Sequence, residues 1–164
     1  IEAKHLFSVN HDKIEVVVHP QSIIHSMVEF KDKSILAQMS VPDMRLAIQY
    51  ALTYPDRSNL DIESLDFIKM GEFTFCKPDF EKFPCLKLAF DACAQGGSMP
   101  AALNASNEVA VDAFLNKEIG FLQISEIVNE ILEKEECVYT YNLDEIIEKD
   151  KEVRRKTKEI IAGI

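Results

Sequence analysis

The chain has few glycines, and none of them lies in a nucleotide-binding pattern. Gly71, Gly96, Gly97, Gly120 and Gly163 form neither a G-x-G-x-x-G turn nor a phosphate-binding loop. The 164 residues therefore predict no dinucleotide site of their own. With 47% hydrophobic residues, the chain has enough apolar side chains to bury a core, which excludes a disordered tail.

Positive charge is also scarce. Eighteen Lys and Arg stand against 28 Asp and Glu, and the formal net charge is −10. Nucleic acids and anionic membranes attract clustered Lys and Arg, because these residues displace counterions. The composition therefore predicts neither nucleic acid nor a membrane surface as a partner. No apolar run reaches the length of about 18 residues that a membrane-spanning helix needs.

The cysteines show no metal-binding or redox spacing. No C-x-x-C pair occurs among Cys76, Cys85, Cys93 and Cys137. Their apolar neighbours are typical of reduced, buried thiols, and disulfide frameworks belong mainly to smaller secreted domains. The interpretation is a cytoplasmic protein with free thiols.

The first part of the chain has the pattern of strands. A β-branched run at 14–19 ends before Pro20, which cannot donate a hydrogen bond to a neighbouring strand. Apolar runs at 25–30 and 35–40 are separated by a short polar linker that is typical of a hairpin. Three strands are therefore predicted, together with a short strand candidate at 73–76.

A helix is predicted to cover these strands. After Pro42 the apolar residues recur at helical spacing, and Asp43 stands where an N-cap residue is expected. Tyr54 and Pro55 end the pattern. Arg45 has two ordinary partners, Asp43 or the segment that follows the helix.

The last part of the chain has the pattern of a helical bundle. Four helices are predicted beyond Pro84: one closed by Gly96, one opening at Pro100, one capped by Ser125, and one from about Asn142. The fold class is therefore α+β: a partial sheet with a covering helix, left from an α/β catalytic domain, then an extended connector and a small four-helix bundle. The predicted domains are 1–55, 56–83 (the connector) and 84–164.

Three segments carry a family resemblance. They are VHPQSIIHSMVEFKDKSILAQMSVPDMRLAIQYALTYPDR at 18–57, FPCLKLAFDA at 83–92 and LNASNEVAVDAFL at 103–115. Together they resemble the C-terminal part of 1-deoxy-D-xylulose 5-phosphate reductoisomerase. The resemblance implies conversion of that phosphorylated sugar to 2-C-methyl-D-erythritol 4-phosphate in non-mevalonate isoprenoid biosynthesis, with NADPH and Mg²⁺ or Mn²⁺ as cofactors.

The same resemblance implies that the reacting groups lie outside this chain. The chain opens with IEAKHLF, a pattern typical of the last turns of a helix already under way. In the family, a nucleotide-binding domain and the metal-binding carboxylates precede this point. We therefore expect no catalytic residue and no metal ligand within the chain, no cofactor bound to it alone, and no activity from it alone.

Five residues are candidates for the pocket wall. The family segment HPQS-x-x-HSM implies that Ser22 and His25 lie near the active site and support neighbouring groups by hydrogen bonds. The segment at Pro42 and Met44 implies a contact of the Met44 thioether with cofactor or substrate. Glu2 follows the last aligned metal carboxylate by three residues, which would place both on one helix face.

Each candidate also has an ordinary structural interpretation. His25, like His19, could donate to a backbone carbonyl at a strand end. Met44 could be a core residue, because its flexible side chain fills gaps. Glu2 could be a solvated charge. A polar cluster in the second bundle helix, Asn104, Ser106, Asn107 and Glu108, is interpreted as structural, bonding to the connector or docking the bundle against the sheet domain.

Further hypotheses concern partners and other functions. The family forms homodimers through its catalytic-domain sheet, which implies an interface at 14–40. The alternative function is an acidic helical module that binds a partner protein without catalysis. A third hypothesis, a metallohydrolase built on His19, His25 and Asp43, lacks the i, i+4 ligand pair of helical zinc sites.

Overall fold

The computed structural model describes every residue from Ile1 to Ile164 and divides into two compact units, residues 16–78 and residues 1–15 with 79–164. Its elements in chain order are α1 (Glu2–Phe7), a 3-10 turn (His11–Lys13), β1 (Ile24–Glu29), β2 (Ile35–Met39), α2 (Met44–Thr53), α3 (Phe67–Met70), α4 (Pro84–Gln95), α5 (Met99–Leu115), α6 (Phe121–Lys134) and α7 (Leu143–Ala162). The predicted α+β class is confirmed. None of the helices combines the length and the apolar character needed to cross a membrane.

The predicted hairpin forms the sheet of the unit 16–78. β1 and β2 pair antiparallel, with Val28 opposite Leu36. In the turn, the Asp32 carboxylate accepts hydrogen bonds from the Ser34 backbone N–H (3.0 Å) and hydroxyl (2.6 Å). The pairing slips by one residue near the start of β1, and His25 occupies this β-bulge.

The predicted strand at 14–19 is wrong, and so is the strand candidate at 73–76. Only Val18 pairs, through two backbone hydrogen bonds of 2.9 Å with Cys76. In an antiparallel ladder the next bonded positions lie two residues away on each strand. Those positions include Pro20 and Pro78, which have no N–H to donate, so the ladder stops on both sides.

The helix α2 begins and ends as predicted. The Asp43 carboxylate accepts a hydrogen bond from the Arg45 N–H at 2.9 Å and caps the helix. The Arg45 guanidinium also pairs with Asp43 at 2.5 Å, which selects one of its two expected partners.

The second unit contains the predicted four-helix bundle, α4 to α7. The central helix α5 presents small buried side chains, among them Ala105 and Ala110, which let its neighbours approach closely. Val128 and Ile131 of α6 and Val153 of α7 pack there and are almost completely buried. The bundle core is therefore built on alanine positions of one helix.

Two local predictions need correction, one on the start of α6 and one on the burial of the cysteines. α6 begins at Phe121 after Gly120, whose N–H donates to the Gln123 side chain at 2.6 Å. Ser125, the predicted N-cap, is buried inside the helix and donates back to the Leu122 carbonyl at 2.8 Å. The four thiols are free, but only Cys93 is buried, whereas Cys76, which forms the isolated bridge with Val18, is exposed.

The polar cluster of α5 has a structural role within the bundle. Asn104 donates to Glu108 at 3.0 Å, and Glu108 pairs with Arg154 of α7 at 2.6 Å. The Arg154 guanidinium and the Asn104 amide lower the pKa of Glu108 below its ordinary value. Ser106 donates to the Ala102 carbonyl of its own helix at 2.9 Å. These partners belong to the bundle, not to the predicted connector.

Candidate functional site

A cleft of about 500 Å³ lies in the unit 16–78. Its walls are the end of β2 and the residues after it, one face of α2, and the segment 57–67. The lining residues are Met39, Ser40, Val41, Leu46, Gln49, Tyr50, Arg57, Ser58, Leu60, Ile62, Glu63, Ser64, Leu65 and Phe67. The cleft therefore combines apolar walls with a few hydroxyl, amide and charged groups, which is the usual make-up of a small-molecule site.

Side chains of α2 hold the segment 57–67 in place. The Arg57 guanidinium carbon lies 4.1 Å from the centre of the Tyr50 ring, a cation–π contact. The Gln49 amide donates to the Asn59 carbonyl at 2.8 Å. Gln49, Tyr50 and Arg57 were missed by the sequence analysis. The signal that could have found Gln49 is its polar side chain on the face of α2 that carries Leu46, whereas no sequence pattern marks the contact of Arg57 with Tyr50.

A buried hydroxyl joins the cleft to His25. Ser40, which lines the cleft, is 9% exposed, and its Oγ lies 3.0 Å from both His25 Nε2 and the Val41 carbonyl oxygen. The Ser40 hydroxyl donates its single proton to the Val41 carbonyl, so it offers only lone pairs to His25. In this arrangement His25 donates from Nε2, and in the neutral ring Nδ1 is then an acceptor.

Four of the five predicted pocket residues belong to the unit 16–78, but none of them lines the cleft. His25 reaches it only through Ser40. Ser22 is exposed, has a left-handed backbone (φ 52°), and donates its N–H to the His19 carbonyl at 3.0 Å. Pro42 is exposed, and it lies between Ser40 and α2.

Met44 and Glu2 are both on first helical turns. Met44 is 72% exposed, so the alternative that it is a core residue is wrong. Glu2 is an exposed residue at the start of α1, in the other compact unit. The assignment of all five residues to a pocket stays a prediction.

The other histidine of the motif is a packing residue. His19 Nδ1 lies 2.9 Å from the Thr74 carbonyl oxygen and must donate to it. Its ring stacks on Phe75 with 4.7 Å between the ring centres. The expected donation to a backbone carbonyl is therefore confirmed for His19, whereas for His25 it is wrong, because His25 bonds to a hydroxyl.

No group of three or more His, Cys, Asp or Glu side chains comes close enough to hold a metal ion. The hypothesis of a metallohydrolase built on His19, His25 and Asp43 therefore has no ligand cluster to rest on. The chemistry that the described residues can supply is hydrogen bonding and shape.

Comparison with known proteins gives a consistent result. The family model described as DXP reductoisomerase C-terminal domain matches residues 39–156. The 1-deoxy-D-xylulose 5-phosphate reductoisomerase of Caldanaerobacter subterraneus subsp. tengcongensis is 55% identical over 95% of this chain and 41% of its own length. That of Acetivibrio thermocellus is 53% identical over 98% of this chain and 42% of its own length. The chain thus spans about two fifths of the curated relatives it matches.

Solved structures match the fold as well. The enzyme of Zymomonas mobilis in complex with NADPH has a TM-score of 0.89 and 46% identity, covering 98% of this chain and 42% of that one. A DOX-P reductoisomerase in complex with NADPH, fosmidomycin and magnesium has a TM-score of 0.93 and 39% identity, with the same coverages of 98% and 42%.

Proposed function

This chain belongs to the family of DXP reductoisomerase C-terminal domains, and from that premise we propose that it is part of an NADPH-dependent reductoisomerase. The proposed reaction converts 1-deoxy-D-xylulose 5-phosphate to 2-C-methyl-D-erythritol 4-phosphate, in non-mevalonate isoprenoid biosynthesis. The observation that carries the proposal is the match of nearly the whole chain to a reductoisomerase that holds NADPH, fosmidomycin and magnesium.

The residues of this chain do not fit either cofactor on their own. Its glycines form no G-x-G-x-x-G turn, and its acidic, histidine and cysteine side chains form no metal cluster. We propose that NADPH and the divalent metal, Mg²⁺ or Mn²⁺, are bound by other parts of the enzyme. This chain then contributes neither the hydride step nor the metal ligands, and it is inactive alone.

The contribution of the chain is a wall of the substrate pocket. His25 presents an Nδ1 acceptor that suits the hydroxyl groups of a sugar phosphate. Met44 presents an exposed thioether that suits contact with the nicotinamide or the substrate carbon chain. Ser22, Pro42 and Glu2 support this wall, Pro42 by fixing the backbone ahead of α2.

The remaining parts of the chain form the frame around these residues. We propose that residues 1–55 complete the catalytic domain, that 56–83 connect it to the last domain, and that 84–164 form that last, helical domain. The reduced thiols and the pathway suit an enzyme of the cytoplasm.

We also propose a homodimer formed through the hairpin. Met27, Val28, Ile35 and Leu36 of the hairpin are between 41% and 66% exposed, and Phe30 of its turn is 50% exposed. Exposed apolar strands of this kind are typical of interfaces, because alone they expose pairing edges and apolar area to water.

The test is NADPH oxidation with 1-deoxy-D-xylulose 5-phosphate and Mn²⁺. The 164-residue chain is compared with the protein made from its full reading frame. We expect turnover only from the full reading frame. Absence of turnover in both, from folded protein, would contradict the reductoisomerase proposal and favour the alternative, an acidic helical module that binds a partner protein.

A further inference from the structure

We propose that Ser40 is a positioning residue for His25, fixing the Nε2–H form of the ring so that Nδ1 is available as an acceptor. The proposal rests on the proposed function, because it assumes that His25 belongs to the substrate pocket. It adds to that function a residue that touches no reacting atom and acts through another side chain.

The first argument is the direction of the hydrogen bonds. Ser40 Oγ lies 3.0 Å from the Val41 carbonyl oxygen, to which it donates its only proton, and 3.0 Å from His25 Nε2. With that proton committed, Ser40 has only lone pairs left for His25. The ring with a proton on Nδ1 alone would place two acceptors opposite each other at 3.0 Å, which is unfavourable.

The second argument is how the backbone holds both partners. Pairing passes from Ile24 opposite Met39 to Ser26 opposite Gln38, so His25 is the extra residue of a β-bulge. Bulges change the direction of a side chain relative to a regular strand. Directly after the facing strand β2, the Ser40 N–H donates to the Ile23 carbonyl at 3.1 Å, which holds the Ser40 backbone beside the bulge.

The third argument is burial. Ser40 is 9% exposed, so water competes poorly for its hydroxyl, whereas His25 is an exposed residue and no protein group bonds to Nδ1. One ring nitrogen is therefore held by a part-buried hydrogen bond, and the other has no protein partner. An accessible acceptor of fixed orientation suits an O–H donor on a polyol phosphate.

The test uses the protein made from the full reading frame, labelled with ¹⁵N-histidine, at a pH of about 8.5, above the value at which histidine titrates in model peptides. The His25 Nε2–H resonance, assigned by its loss in His25→Gln, is expected in the parent protein. Ser40→Ala should abolish it through exchange with water, and Ser40→Thr, which keeps a hydroxyl, should retain it. Ser26→Ala removes an exposed hydroxyl from β1 and is the matched control, with the resonance retained. A resonance that persists in Ser40→Ala would overturn the proposal.

Kinetics separates this proposal from the proposed function. Ser40→Ala should lower kcat by about threefold to tenfold, the value of one hydrogen bond, and Ser40→Thr should restore most of it. An unchanged kcat with the resonance lost would show that the positioning has no functional role, which contradicts the proposal. A parent protein without turnover would instead refute the reductoisomerase function, while the resonance still decides whether Ser40 positions His25.

Discussion

Ser98 and Val138 satisfy each other's polar groups in the bundle unit. The Ser98 N–H donates to the Val138 carbonyl at 2.9 Å, and the Ser98 hydroxyl accepts from the Val138 N–H at 3.0 Å. Ser98 precedes α5 and is 2% exposed, whereas Val138 lies in the link between α6 and α7. One serine therefore ties this link to the start of the central helix.

Replacing Ser98 with alanine should lower the free energy of unfolding by about 1–3 kcal/mol, because the Val138 N–H loses its acceptor in a part-buried place. Ser106→Ala is the matched control. That hydroxyl is equally buried, but it bonds to a carbonyl of its own helix, and its loss leaves no donor unpaired. Urea unfolding followed by circular dichroism measures both. Equal costs in the two variants would contradict this account of the tie.

A methyl group at Gly97 should be poorly tolerated. A Cβ there would lie 2.6 Å from Cys137 Sγ and 2.7 Å from the Val138 carbonyl oxygen, and the backbone φ is +54°. At Gly96 the φ is +72°, but no atom lies within 4 Å of the same position. Gly96→Ala should therefore cost only the backbone strain of about 1–3 kcal/mol at φ 72° and ψ −146°, and Gly97→Ala clearly more because the collision adds to its strain. Thermal unfolding of the two variants distinguishes strain from collision, and an equal loss of Tm would exclude the collision.

Local signals in the sequence predicted much of the fold correctly. Asp43 and Asn142 cap α2 and α7, and Gly96 ends α4, because these residues act on the backbone within three or four positions. The hairpin was predictable for the same reason, since its turn residues are adjacent to both strands. The domain division at 55 and 83 stays a prediction.

Features that depend on distant residues were not predictable. The predicted strand at 14–19 is wrong because a strand also needs a pairing partner. Its partner is the segment around Cys76, and Pro78 in that segment has no N–H to donate. Serine is a favourable N-cap residue, but Ser125 lies inside α6 and is buried in the bundle core. The contact of Arg57 with Tyr50 depends on the path of the segment that follows α2. That segment has no hydrophobic periodicity, so its path cannot be predicted from the sequence.

A lysine on the hairpin should separate the proposed dimer. Leu36 is 66% exposed and lies opposite Val28. The charge of a lysine placed at this position would be buried in a dimer interface, which is unfavourable, but would face water in a monomer. Leu36→Lys in the protein from the full reading frame should halve the mass measured by light scattering. Lys31→Glu, in the exposed turn, should leave the mass unchanged. A dimer that survives Leu36→Lys would exclude this surface of the hairpin as the interface.

Glu135 should make the stability of the bundle depend on acid pH. Its side chain is almost fully buried and forms ion pairs with Lys149 and, at 2.6 Å, with Lys156. Burial raises the pKa of Glu135, but hydrogen bonds and charge from the two lysines outweigh it, so the pKa lies below its ordinary value. A lowered pKa in the folded state means that the unfolded state binds the proton first as the pH falls. The stabilisation is therefore complete above the ordinary pKa of about 4.3 and is lost as the pH falls through the lower folded value.

Glu135→Gln removes this dependence. At pH 7 it should lower the free energy of unfolding by about 3 kcal/mol, because two lysines lose a buried partner. Below the folded pKa the difference from the parent should shrink, since the parent is then protonated too. Glu130→Gln, which breaks the exposed pair with Lys134 on the same helix, should cost less than about 1 kcal/mol. Urea unfolding across this pH range tests both variants. A difference between Glu135→Gln and the parent that stays constant with pH would show that the carboxylate charge is not what stabilises the bundle.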